Sequence, residues 1–286
     1  IFSVVLFFGT CLSPVSSQTV PVPQVLEDGT WLYVGGSGLG NYTKIQDAID
    51  NASEGDTVFV YSGWYSEDIL INKSIIVTGQ EKNTTIIAGD TGSELIKIRD
   101  CQVEFSGFTI QRYNGSNIIG MEMIGCWLST IHDIIIISCD IGILISDTES
   151  SSISHNIILD CSNGMYLGII GNVTISWNRI QGNGHGSGIE FFLSTLFKNY
   201  LTRNSIMNYT LGMYLGIANW VAIQENNFIG NQQAAFFTAS FFNLWDRNYW
   251  GKSSQLPKII PGRFGLRGIV PFINFDWHPA QEPYDI

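Results

Sequence analysis

Sugar chemistry needs few residue types: paired carboxylates, or an acid beside a base, to cleave the bond, and flat aromatic rings to hold the sugar. Glycoside cleavage calls for two carboxyl groups roughly 5–9.5 Å apart. The residues that could move protons here are Glu190, His155, His185 and Arg203. The aromatic candidates for holding a glycan are Tyr166, Tyr214 and Phe237, with Glu190 between the two tyrosines. His132 and His155 are candidate transition-metal ligands, although no third donor beyond Asp133 is evident. Which of these side chains meet depends on the elements that carry them, and those elements repeat.

A Gly-apolar-x-apolar unit recurs at Gly120, Gly142, Gly164, Gly188, Gly212 and, with alanine in place of glycine, Ala235, at intervals of 22, 22, 24, 24 and 23. A second unit follows each one and carries an asparagine column: Asn156, Asn178, Asn204, Asn226 and Asn248. Alternation within the units has period two, which marks strands. Gly and Asn between them tolerate the left-handed backbone of sharp corners. One repeat cannot bury its own apolar face, but stacked repeats can. The expected fold is therefore all-β, a right-handed parallel β-helix over residues 19–251. A short amphipathic segment with a capping-box pattern at Thr43-Lys-Ile-Gln46 is expected to close its N-terminal end. Residues 252–286 carry five prolines and read as an irregular tail that covers the last coil or folds back along a flank.

Stacking turns the sequence into columns. One outward column reads Glu122, Leu144, Tyr166, Glu190, Tyr214, Phe237. Glu122 and Glu190 are three coils apart, roughly 14 Å, too far to act as a pair. Tyr166 and Tyr214 flank Glu190 at about the length of a disaccharide, a plausible sugar-contact strip. A corner column places His132 beside His155. Ile134, Ile136, Ile157 and Leu159 form an aliphatic flank, to be covered by the tail or by a second copy of the chain; the tail is the favoured cover. Cys101 with Cys126, and Cys139 with Cys161, stack in phase as disulfide candidates or as buried free thiols.

Residues 1–18 run from an apolar stretch into Ser13-Pro14-Val15-Ser16-Ser17, the pattern of a truncated secretory signal peptide. Asn-x-Ser/Thr triplets at Asn41, Asn51, Asn72, Asn83, Asn114, Asn172 and Asn208 fit an exported glycoprotein. With 14 Lys+Arg against 25 Asp+Glu the net charge is −11, which excludes a basic nucleic-acid binder. The composition, 45% hydrophobic and 14% charged, excludes a disordered chain. No segment after the first resembles a membrane span.

Trp31-Leu-Tyr-Val-Gly-Gly-Ser-Gly, Lys44-Ile-Gln-Asp-Ala-Ile, Gly55-Asp-Thr-Val-Phe-Val, Ile75-Ile-Val-Thr-Gly and the closing Asn243-Leu-Trp-Asp-Arg-Asn-Tyr-Trp-Gly251 resemble NosD-like surface proteins of the pectin-lyase-like superfamily. The resemblance spans roughly residues 30–251. It implies a parallel β-helix in an extracellular or cell-surface protein, and NosD-like proteins are labelled as copper-related. Gly184-His185-Gly186 matches one polygalacturonase element, but the accompanying Asn-Thr-Asp, Asp-Asp and Arg-Ile-Lys are missing. The expectation is a non-catalytic structural or carbohydrate-contacting protein without a cofactor. The alternatives are a polysaccharide lyase, hydrolase or epimerase, and a homo-oligomeric surface or sheath subunit.

Overall fold

The computed structural model describes residues 29–89, 92–112, 117–194, 197–264 and 270–286. The predicted signal segment, Cys11 and Asn114 lie outside them. The described chain winds into a parallel β-solenoid of about ten turns. Each regular coil contributes three short strands, one to each of three faces. Ile141–Glu149, Ser152–Ser154 and Ile157–Leu159 make one such coil. The first and second faces belong to a 20-stranded sheet and the third to an 8-stranded sheet.

Inward positions stack in register. Met121, Ile143, Met165, Ile189 and Met213 form one buried column of the first face. Ile131, Ile153, Ile175, Leu201, Ile223 and Trp245 do the same on the second face. The glycine opening each first-face strand lets the first and third faces close together. A Cβ at Gly164 would lie 2.3 Å from Ile180 Cγ2 and 2.4 Å from the Gly188 carbonyl oxygen.

The asparagine column turns the corner between the second and third faces. Each backbone N–H donates to the next coil's side-chain oxygen: Asn156 to Asn178 at 3.0 Å, Asn178 to Asn204 at 3.0 Å, Asn204 to Asn226 at 2.9 Å and Asn226 to Asn248 at 3.0 Å. Each side-chain amide donates to a carbonyl of the preceding coil, as Asn204 does to Ile175 at 2.9 Å. Every rung thus satisfies polar groups that the core would otherwise strand.

The ends differ from the sequence expectation. The helix Ile45–Asn51 closes the N-terminal end, but no capping box forms. Glu67 of the next coil takes the free N–H groups of Ile45 and Gln46, at 2.8 and 3.0 Å. The tail is not irregular. Lys258–Phe264 and Val270–Asp276 form an antiparallel hairpin whose strands extend the first and second faces. Asp276 is fully buried and supplies the rung after Asn248, accepting its N–H at 2.9 Å, its side-chain amide at 3.1 Å and the Trp250 indole N–H at 3.1 Å.

The hairpin covers the last coil, so it is not the lid of the aliphatic flank. That flank also shifts by one residue: Ile134 and Ile136 are fully buried, and the outward pair beside Ile157 and Leu159 is Ile135 and Ile137. Ile134 occupies the place that asparagine fills in later coils, and its N–H donates to Asn156 at 3.1 Å. The corner between the first and second faces is unusual. Ile169, Leu193 and Ile217 hold φ values of 51°, 60° and 53° while 55%, 42% and 42% exposed. A β-branched residue is a genuine outlier in that region.

Candidate functional site

The first face presents the expected outward ladder. Leu144 pairs with Tyr166, Tyr166 with Glu190 and Glu190 with Tyr214 in continuous register. The next rung is Phe236, not Phe237, which points inward and is 1% exposed. Two consecutive alanines, Ala234 and Ala235, hide the true alignment: Ala234 takes the glycine place. Tyr214 and Phe236 stack at 6.4 Å with planes 10° apart.

A neighbouring outward column reads Ser146, Gly168, Phe192, Gly216, Thr238. Its glycines give the tyrosine rings room to lie along their strands. A Cβ at Gly216 would meet the Phe192 ring at 2.8 Å and Tyr214 Cε1 at 2.9 Å; one at Gly168 would meet Tyr166 Cε1 at 3.5 Å. Tyr166, Phe192, Tyr214 and Phe236 thus border one surface, with Glu190 among them. Phe192, Phe236 and the paired glycines were not singled out in the sequence, although the recurrence of glycine two residues beyond each tyrosine was the available signal.

The proton-transfer candidates do not converge. Glu190 lies on the first face. His155 and Arg203 sit at the corner between the second and third faces, on either side of Trp177. The His155 ring stacks on the indole at 6.1 Å and 6°, and the Arg203 guanidinium lies 4.9 Å from it on the next coil. Arg203 is further held by Glu225 at 2.7 Å. His185 is exposed in the turn leading into the first face. Toward the N-terminal end of the first face, Glu122 is covered by Arg99 at 2.9 Å and Lys97 at 3.7 Å. Asp140 and Asp160 share a cleft of about 250 Å³ with Arg112, Ser138 and Ser162, and Asp140 accepts the Ile118 N–H at 2.8 Å.

His132 and His155 are not column neighbours. His132 ends a strand opposite Ser154, between Glu104 at 3.4 Å and Asp133 at 3.0 Å; Asp133 is the residue with the corner conformation, φ 52°. Cys101 lies beside Cys126 and Cys139 beside Cys161, all four buried free cysteines. A hydrogen bond to its partner sulfur, together with burial, pushes Cys101 and Cys139 up from the usual thiol range. Of the described glycosylation triplets, Asn51, Asn72, Asn83, Asn172 and Asn208 are exposed. Asn41 is half-buried and donates to the Gly35 carbonyl at 2.6 Å.

Three stacked faces, inward aliphatic columns and an asparagine corner define a parallel β-helix of the pectin-lyase-like type. The NosD family model, described as periplasmic copper-binding protein, matches residues 49–265, and the chain belongs to that family. A probable pectinesterase from Arabidopsis thaliana is 30% identical over 128 residues, 41% of this chain and 44% of that protein, so the match takes in less than half of the relative. Among solved structures, pectate lyase Pel9A superposes with a TM-score of 0.59 at 15% identity, over 84% of this chain and 76% of that one. The catalytic unit of an α-1,3-glucanase from Streptomyces thermodiastaticus superposes with a TM-score of 0.56 at 14% identity, over 79% of this chain and 45% of that one. At such identities the likeness is one of fold.

Among the described residues, the donors do not fit the copper of the family description. The described residues contain no group of three or more His, Cys, Asp or Glu side chains able to hold one ion. The thiol pairs offer two sulfurs each, enclosed by the core at 0–4% exposure. No described helix is long and apolar enough to cross a membrane.

Proposed function

We propose that the protein is an exported β-helix that holds a polysaccharide on its first face without cleaving it. The observation that carries this reading is the unbroken register of Tyr166, Glu190, Tyr214 and Phe236 on successive coils. Rungs stand about 4.8 Å apart, so rings two coils apart match a disaccharide. Aromatic rings supply large apolar contact with little side-chain entropy to lose, and a carboxylate between them accepts hydroxyl hydrogen bonds. The dispersal of Glu190, His155, His185 and Arg203 over different faces and turns supports binding rather than cleavage. The carbohydrate-acting β-helices among the similar proteins support a glycan as the partner, and the periplasmic description of the family supports export.

A glycan array on the full chain, with mass-spectrometric analysis of the same polysaccharides after incubation, tests this. Binding without new products is the expected result. Shortened or unsaturated products would replace it with the lyase, hydrolase or epimerase reading and direct attention to Glu122 and Asp140.

A further inference from the structure

We infer that the first-face strip selects an amino-sugar polymer, with a ligand ammonium seated at Glu190, and disfavours polyuronates. The inference rests on the reading of this face as a glycan strip. Its own ground is the charge pattern. In the two outward columns of this face between the coils of Leu144 and Phe236, Glu190 is the sole charged side chain among the described residues. Its same-strand neighbour on that side is Phe192, and its rung neighbours are Tyr166 and Tyr214. The cations of this face do not reach it: Lys97 and Arg99 are four coils away and engaged by Glu122, and Arg263 of the hairpin is three coils away on the other side.

Glu190 makes no hydrogen bond or ion pair with any described residue, unlike Glu94, Glu122 and Glu225, which pair with Lys97, Arg99 and Arg203. It is also half-buried between rings. A glycan seated across those rings removes more water from the carboxylate, which is unfavourable unless the ligand returns a strong donor. A uronate in that place sets two like charges together. A neutral sugar returns hydroxyls. A glucosaminyl ammonium returns charge-assisted hydrogen bonds and lies favourably against the adjoining tyrosine faces. The net charge of −11 acts in the same direction at longer range, attracting a polycation and repelling a polyanion.

The test is titration calorimetry of the full chain with four oligosaccharides at a pH where the glucosamine amine is protonated. They are a β-1,4-glucosamine oligomer, its N-acetylated form, a cello-oligomer and an oligogalacturonate of equal length. The glucosamine oligomer should bind about tenfold more tightly than the two neutral ones, and the uronate weakest. Glu190→Gln should remove that preference, bringing the glucosamine oligomer to the affinity of the cello-oligomer on the same variant; because Glu190 has no partner among the described residues, the melting temperature should stay as it was. Equal affinities, a uronate preference, or a preference that survives Glu190→Gln would overturn the inference while leaving the strip intact, provided Tyr166→Ala and Tyr214→Ala still weaken binding. Failure of all four oligomers to bind, or binding indifferent to the tyrosine variants, would remove the strip and the inference together.

Discussion

Asp276 ends the asparagine ladder, and its removal gives a magnitude that the geometry fixes. Its Oδ2 accepts three buried donors: the Asn248 N–H, the Asn248 side-chain amide and the Trp250 indole N–H. Its other oxygen takes the His278 N–H at 3.2 Å. In Asp276→Ala the Asn248 amide keeps its second bond, to the Ile223 carbonyl at 2.9 Å, so it loses little. The Asn248 N–H and the Trp250 indole are left without an acceptor. At about 1–3 kcal/mol for each of the two buried unsatisfied donors, the expected loss is about 2–6 kcal/mol. Asp276→Asn retains one acceptor oxygen and should lose about half as much. At roughly 2–4 °C per kcal/mol for a chain of this size, the alanine variant should melt about 10 °C lower. Urea unfolding followed by circular dichroism and tryptophan fluorescence measures both. An alanine variant within about 1 kcal/mol of the parent, or indistinguishable from Asp276→Asn, would refute the claim that the hairpin closes the ladder through this carboxylate.

Gly216→Ala places a Cβ 2.8 Å from the Phe192 ring and 2.9 Å from Tyr214, so it should displace those rings and weaken glycan binding several-fold with the melting temperature little changed; unaltered binding would show that ring placement is not set there. Ile217 holds φ 53° while 42% exposed, and Ile217→Asn should raise stability by about 1 kcal/mol in urea titration, whereas a loss would mean that the isoleucine makes contacts outweighing its backbone strain. The thiols of Cys101, Cys126, Cys139 and Cys161 should resist alkylation in the folded protein and all react after unfolding without reductant; peptides that remain cross-linked would establish disulfides instead.

The fold was legible because its period is written in residues with one structural use. Asparagine at a 22- to 26-residue spacing marks the corner ladder, and the Gly-apolar-x-apolar unit marks the first face. Errors arose where those marks lapse. Ile134 stands where later coils have asparagine, and Ile134–Ile137 has no alternation to show which residues face inward, so both the histidine column and the aliphatic flank were displaced by one residue. The doubled alanine at 234–235 shifted Phe237 outward in the same way. Contacts between distant parts of the chain carried no local signal. Glu67 capping the helix and Asp276 completing the ladder are 21 and 28 residues from their partners Gln46 and Asn248, and only the wound chain brings them together. Of the proposed glycan strip, Tyr166, Glu190 and Tyr214 were readable from phase alone, whereas the glycine column beneath the rings needed the register.

The central claim is that the first face holds a glycan through its aromatic rungs. The most direct measurement is the affinity of the full chain for its best array ligand, compared with Tyr166→Ala/Tyr214→Ala and with Trp177→Ala, whose indole already lies between His155 and Arg203. Loss of two rings should weaken binding at least tenfold, at about 1 kcal/mol or more per ring, while Trp177→Ala leaves it unchanged. Binding that survives the tyrosine pair, or is lost with Trp177 instead, would contradict the account.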